Sequence, residues 1–122
     1  STVKRASLAA MLRASTRLFR LRDAAAIGRA VDFPVSGTWQ QVSGVIVMRI
    51  SGPDVEPRWR SLVTIVNPTG RWVGQQVPFP TGGWVLHPVQ ATGADQTVRL
   101  AAAGEAGFEV PAHTVAVFVD PA

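Results

Sequence analysis

Apolar residues in the first quarter of the chain recur at helical spacing. Five of them fall three, four and seven positions apart, which places them in one stripe along a helix. They are Leu8, Met11, Leu12, Leu18 and Phe19. The pattern predicts a helix over residues 1–22 and a connecting turn over residues 23–30. A stripe this apolar needs a partner, which is either this domain or a neighbouring one.

Beyond residue 30 the period changes to short β-branched runs closed by turn residues. Residues 45–50 and 62–66 are the clearest, and Ser-Gly-Pro-Asp and Asn-Pro-Thr-Gly follow them. The same pattern predicts strands at 31–33, 71–73, 83–87, 97–101, 107–110 and 114–119. The last of these is apolar on both faces from residue 115 onward, as a central strand would be. About eight short strands between Gly/Pro turns predict an all-β fold, an antiparallel β-sandwich over residues 31–122 preceded by the N-terminal helix.

Composition narrows the class of protein without naming a function. The 122 residues, of which 47% are hydrophobic, suffice for one domain with a buried core. No apolar run reaches the roughly 20 residues that cross a membrane. The absence of cysteine excludes disulfides and thiolate metal sites. High apolar content and a net charge of only +4 exclude a disordered chain.

Positive charge is concentrated in the first thirty residues. This segment has seven basic residues and one acid, Asp23, whereas residues 31–122 have five basic and seven acidic residues. The seven are Lys4, Arg5, Arg13, Arg17, Arg20, Arg22 and Arg29. A basic arm of this kind leaves open a nucleic-acid-binding protein or a protein at an anionic membrane. We favour a solvated helix face and predict neither partner, because nucleic-acid-binding domains usually carry their basic excess on the folded body too.

Residue types that support catalysis or bind metals form no recognisable motif. Asp54 and Glu56 lie close together, but in a Pro-flanked loop, whereas paired-carboxylate hydrolysis needs two acids on rigid supports. His87 and His113 lie far apart and lack a third ligand, so we interpret them as a strand end and as an edge or turn residue. Nucleophile elbows and phosphate-binding glycine loops are absent from the sequence. We predict no catalytic residue, no metal site and no cofactor.

The four tryptophans are the better candidates for binding, because all lie in or beside Gly/Pro-rich turns. They are Trp39, Trp59, Trp72 and Trp84. An exposed indole offers a flat apolar face that suits a sugar ring or a nucleobase, so several in a row would form a carbohydrate-binding platform. The other interpretation, which we favour for each of them, is burial in the sandwich core or against a neighbouring domain.

Four separated segments of the chain match the pattern of a known family. Residues 12–21 read Leu-Arg-Ala-Ser-Thr-Arg-Leu-Phe-Arg-Leu, and residues 44–48 read Gly-Val-Ile-Val-Met. Residues 64–69 read Thr-Ile-Val-Asn-Pro-Thr, and residues 110–119 read Val-Pro-Ala-His-Thr-Val-Ala-Val-Phe-Val. In this order they resemble the C-terminal region of pullulanase-type α-1,6-glucosidases, the debranching glycoside hydrolases of the α-amylase superfamily. Thr16 and Arg17 depart from the family, where Ser-Pro is usual.

The resemblance implies an accessory role. Residues 1–22 would be the terminal helix of a preceding (β/α)8 catalytic barrel, residues 23–30 a connecting turn, and residues 31–122 the C-terminal β-sandwich domain. The apolar stripe would dock on the barrel assembly, and the catalytic acids would lie upstream. The partner would be the barrel of the same polypeptide, in an enzyme that hydrolyses α-1,6 branch linkages of pullulan, starch or glycogen and is secreted rather than cytoplasmic. As an alternative, the chain would be a carbohydrate-binding module whose exposed tryptophans contact α-glucan.

Overall fold

Two antiparallel sheets form the fold that the sequence predicts. The structure is a computed structural model that describes residues 31–51, 61–105 and 107–120. In chain order its strands are β1 (Val31–Asp32), β2 (Ile46–Ser51), β3 (Ser61–Asn67), β4 (Val73–Gln76), β5 (Val85–Leu86), β6 (Ala102–Ala103), β7 (Gly107–Val110) and β8 (Thr114–Asp120). The predicted N-terminal helix and connecting turn lie outside the described residues.

The larger sheet has the strand order β1-β2-β3-β8-β5, and the smaller has the order β4-β7-β6. All neighbouring strands are antiparallel. The seven-residue strands β3 and β8 pair along their full length at the centre of the larger sheet. This central place explains why residues 62–66 and 115–119 are apolar on both faces. The all-β antiparallel sandwich is therefore confirmed.

The main core lies between the two sheets. Its members include Val47, Val63, Ile65 and Phe118 from the larger sheet and Val73, Phe108 and Val110 from the smaller one. The rings of Phe108 and Phe118 lie 4.5 Å apart between centroids, which joins the sheets at the middle of the core. Such aromatic pairs are typically worth about 0.5–1.5 kcal/mol beyond the area they bury.

Two strand predictions need correction. The strand predicted at 71–73 lies at Val73–Gln76 (β4) and shares only Val73 with that range. The other predicted strand is not formed. Residues 97–101 contain a 3₁₀ helix, Val98–Leu100, instead of a strand. The cause lies just upstream, where the Asp95 carboxylate accepts hydrogen bonds from the main-chain N–H groups of Thr97 (3.0 Å) and Val98 (3.2 Å). An Asp side chain that satisfies two consecutive amides favours a helical turn over an extended strand. The strand appears only afterwards, as β6.

A short helix that the sequence pattern did not indicate follows β5. This helix, α1 (Pro88–Ala91), has Pro88 at its start and His87 as its N-cap residue. Nδ1 of His87 accepts a hydrogen bond of 3.1 Å from the Val89 N–H. Proline is favoured in the first turn of a helix because no hydrogen bond is required of its nitrogen there. The interpretation of His87 as a strand end is confirmed, since β5 ends one residue earlier.

Candidate functional site

A second apolar surface lies on the outer face of the five-stranded sheet. Three rows of registered residues cross β2, β3 and β8 there. The rows are Ile46 with Val66 and Val115, Met48 with Thr64 and Val117, and Ile50 with Leu62 and Val119. We call these nine residues the outer grid. Six of its apolar side chains are between 0 and 4% exposed, although they point away from the core between the sheets.

Burial of the outer grid has a large energetic effect. Fully burying a Val, Leu, Ile or Met side chain is worth about 1.5–3 kcal/mol, so six of them contribute on the order of 10 kcal/mol. Among the described residues, the hydrophobic side chains packed with the grid belong to the same sheet, and Val31 of β1 is the one outside its three rows. A sheet face of this kind requires a second layer of structure to cover it.

The structure separates the tryptophans into different environments. Trp84 is 9% exposed and lies in the core, with its ring centroid 5.8 Å from those of both Phe79 and Phe108. Its ring is not available as part of an exposed platform. Trp39 is 85% exposed and Trp72 is 47% exposed. The fourth, Trp59, lies outside the described residues, as do the five residues of the apolar stripe.

Both exposed tryptophans are attached to β4, the edge strand of the smaller sheet. Trp72 immediately precedes this strand. The loop that contains Trp39 is bonded to β4 by Gln75. The buried side chain of Gln75 donates a hydrogen bond of 2.8 Å to the carbonyl oxygen of Gln40, the residue after Trp39. The same side chain accepts one of 2.9 Å from the Val42 N–H. Gln75 therefore fixes the loop that contains Trp39 against β4.

A shallow open groove of about 390 Å³ crosses the outer face of the three-stranded sheet. Gly74 and Gln76 of β4 lie in it opposite Glu109 and Gly107 of β7, and Ala102 of β6 lies opposite Glu109 from the other side. The floor is low at Gly74, Gly107 and Ala102, because glycine and alanine have little or no side chain. A Cβ atom at Gly74 would meet nothing within 4 Å. Gln76 and Glu109 provide exposed hydrogen-bonding groups beside that floor.

The groups suited to metal binding are not assembled in the described residues. No group of three His, Cys, Asp or Glu side chains in these ranges could hold a metal ion. His113 lies in the turn before β8 with a φ of 52°, which agrees with its interpretation as an edge or turn residue. Asp54 and Glu56 lie outside the described residues. None of the helices that the structure describes is long and apolar enough to cross a membrane.

Sequence reasoning missed the outer grid and the groove. The apolar runs at 62–66 and 115–119 indicate burial on both faces, but strand register was needed to align Leu62 with Val119 in one row. The groove involves Gly74, which lies just outside the strand predicted at 71–73. Gln75 gave no signal either, because a glutamine between small and polar residues is typical of a surface position.

Together, the two sheets, the apolar outer grid and the exposed Trp39 and Trp72 define the class of the chain as an all-β sandwich domain. Comparison with known proteins narrows this class. The family model of pullulanase-type α-1,6-glucosidases, C-terminal region, matches residues 1–121. The chain belongs to this family, as its four sequence segments indicated.

Individual relatives agree with that assignment. The chain is 33% identical over 120 residues to chloroplastic pullulanase 1 of Arabidopsis thaliana, a match that covers 89% of this chain and 12% of the relative. The apo pullulanase of Klebsiella pneumoniae is similar with a TM-score of 0.66 and 27% identity, over 82% of this chain and 11% of that one. PulA from Klebsiella oxytoca gives a TM-score of 0.66 and 26% identity, over 82% and 10%. The chain thus spans about a tenth of the length of these relatives.

Proposed function

We propose that this chain is the non-catalytic C-terminal accessory domain of a larger enzyme, one that hydrolyses α-1,6-glucosidic linkages in pullulan, starch or glycogen. Its role is to stabilise the catalytic barrel of the same polypeptide. Family membership supports the enzyme class, and the length of the relatives supports an upstream catalytic region. The acids that cleave the glycosidic bond belong to that region, so hydrolysis is an activity of the whole polypeptide.

The observation that carries the stabilising role is the outer grid. Eight of its nine side chains are apolar and registered in three rows, and six of these eight are buried, which is the chemistry of a surface that packs against another layer. In this proposal the covering layer is the terminal helix of the barrel, residues 1–22. That segment carries the apolar stripe, and it is joined to β1 through only eight residues, 23–30.

The stripe and the grid are chemically matched. Leu8, Met11, Leu12, Leu18 and Phe19 are flexible or large apolar side chains that can fill the spaces between the β-branched residues of the grid. Arginines on the remaining helix surface stay in solvent. Packing of this kind joins the last element of the barrel to the sandwich, so unfolding of either one exposes the apolar surface of the other.

Thermal unfolding of the whole polypeptide tests the stabilising role. The double variant Leu18→Asp/Phe19→Asp places two carboxylates in the stripe, and we expect a clearly lower melting temperature with unchanged selectivity for α-1,6 linkages. Arg13→Asp/Arg17→Asp serves as the matched control, since it adds two carboxylates to the same helix outside the stripe. A melting temperature unchanged in the first variant would contradict the docking.

Thiol labelling tests which segment covers the grid, and the absence of native cysteine makes it specific. A single Met48→Cys substitution reports access to the outer grid, and Val85→Cys reports a half-exposed position in register with Val119. We expect the thiol at position 48 to react slowly in the native chain and quickly after Leu18→Asp/Phe19→Asp. The thiol at position 85 should react quickly in both backgrounds. Equal protection of the grid position in both backgrounds would show that another segment covers it.

A further inference from the structure

We infer that β4 carries a glycan-binding strip formed by Trp72, Gly74 and Gln76, with Glu109 beside it and Trp39 at the flank. The ligand class is a linear polysaccharide, and the choice of an α-glucan rests on the proposed function. The strip lies on the smaller sheet, on the side of the sandwich opposite the outer grid. A domain packed through the grid therefore keeps the strip free for a second partner.

The strip follows from strand geometry. Val73 and Gln75 are buried on the inner face of β4, so positions 74 and 76 share the outer face, and the half-exposed Trp72, one residue before the strand, continues this alternation in the proposed strip. At a rise of about 3.3 Å per residue, Trp72 and Gln76 are roughly 13 Å apart along the strand. This length accommodates a short run of sugar rings, with an indole at one end and a carboxamide at the other.

Gly74 lies between these two side chains and lowers the floor. Its neighbour across the ladder is Glu109, and Ala102 continues the low surface beyond that residue. A sugar ring stacked on Trp72 can therefore extend over Gly74 without a steric barrier. Its hydroxyl groups come within reach of Gln76, which donates and accepts hydrogen bonds, and of Glu109, which accepts them.

Trp39 is a second exposed aromatic side chain, and it lies next in sequence to Gln40, whose carbonyl oxygen is bonded to Gln75 of the same strand. It is the most exposed large hydrophobic side chain in the described part of the chain. Its loop is not loose, because Gln75 bonds to Gln40 and to Val42. Because the main chain beside Trp39 is already fixed, little backbone conformational entropy is lost when the indole binds a ligand.

The chemistry of the strip favours a sugar over a protein partner. The buried centre of a protein–protein interface is typically a contiguous apolar patch. Here each exposed indole has glycine, glutamine or arginine neighbours in the sequence, including Gln40 and Arg71. Isolated flat apolar faces among hydrogen-bonding groups match the surface of a pyranose, which has an apolar face and a rim of hydroxyl groups.

Affinity electrophoresis of the 122-residue chain tests the strip. Native gels with graded amounts of pullulan give an apparent dissociation constant from the retardation of the band, relative to a glycan-free gel. We expect pullulan to retard the native chain, and Trp72→Ala to raise the dissociation constant about tenfold, as loss of one stacking contact of roughly 1.4 kcal/mol would. Leu100→Ala removes another exposed apolar side chain, one outside the strip, and should leave the dissociation constant unchanged.

A second variant separates binding from folding. Gly74→Val fits the strand, since a Cβ atom there has open space, but it raises the floor of the strip. We expect native thermal unfolding and weaker retardation for this variant. Absence of retardation of the native chain by any glycan, or full retardation of both variants, would overturn the inference and assign the exposed tryptophans to contacts with another domain. In a third outcome, hydroxyethylcellulose retards the native chain but not Trp72→Ala, and pullulan does not retard the native chain. This result would support the strip and would contradict the proposed α-glucan enzyme.

Discussion

Nδ2 of Asn67 donates a hydrogen bond of 3.1 Å to the carbonyl oxygen of Val110, and this contact links the end of β3 in one sheet to the end of β7 in the other. The same amide also reaches the carbonyl oxygens of Arg71 (2.8 Å) and Pro111 (2.9 Å). Oδ1 accepts from the N–H and the hydroxyl group of Thr69. Two of the four segments that carry the family resemblance, 64–69 and 110–119, thus meet through one buried side chain.

Replacement of Asn67 should destabilise the sandwich strongly. Asn67→Ala leaves buried carbonyl oxygens without their donor, for which we expect a loss of about 2–3 kcal/mol in the free energy of unfolding. Asn67→Asp should be at least as harmful, because it turns the donor into a carboxylate oxygen that faces carbonyl oxygens. Urea unfolding of the two variants measures this, with exposed Gln76→Ala as the control. Wild-type stability of the Asp variant would contradict the donor role of the amide.

The two tryptophans that follow turns should respond differently to truncation. Trp84→Ala removes a core ring that packs on Phe79 and Phe108, and we expect a loss of about 3–5 kcal/mol. Trp39→Ala removes an exposed ring and should change stability by less than about 0.5 kcal/mol. Denaturant midpoints of the two variants, compared with the native chain, measure both effects. A similar loss in both would mean that Trp39 packs against the domain.

This contrast shows where sequence reasoning ends. Trp39 follows Gly37 and Thr38, and Trp84 follows Gly82 and Gly83, so their local sequences give the same turn signal. Their environments differ because Phe79 and Phe108 meet around Trp84, and that meeting depends on how the two sheets pack. The fold itself was accessible, since β-branched runs and Gly/Pro turns are local signals. The strand predicted at 97–101 failed because the Asp95 side chain satisfied two amides that a strand would have paired.

The ion pair between Arg49 and Asp32 should contribute modestly to stability. Nε and Nη2 of Arg49 lie 2.9 and 2.8 Å from the two oxygens of the Asp32 carboxylate, and the guanidinium carbon lies 4.7 Å from the centroid of the Phe79 ring. The pair is partly exposed, so we expect Asp32→Asn to lose about 0.5 kcal/mol and Arg49→Met, which also loses the cation–π contact, about 1 kcal/mol.

A double-mutant cycle separates the ion pair from the ring contact. The coupling free energy between Asp32→Asn and Arg49→Met should fall as salt is raised, because salt screens exposed charges. The coupling between Arg49→Met and Phe79→Leu should depend on salt less steeply. A coupling between the two charged residues that does not respond to salt would point to packing of the arginine stem as its source.

Two glycines that are close neighbours in the smaller sheet should tolerate a methyl group very differently. A Cβ atom at Gly107 would overlap the main-chain carbonyl oxygen of Gln75 and would lie 3.0 Å from the Cα of Gln76. Since the overlap is with backbone, β4 and β7 must separate to relieve it, and we expect Gly107→Ala to lose about 2–3 kcal/mol. At Gly74 the same change meets nothing within 4 Å, and it restricts the unfolded chain. We therefore expect Gly74→Ala to be neutral or to stabilise by about 0.5 kcal/mol. Urea unfolding of the two single variants measures the difference, and equal stability would contradict the close approach of β4 and β7 at Gly107.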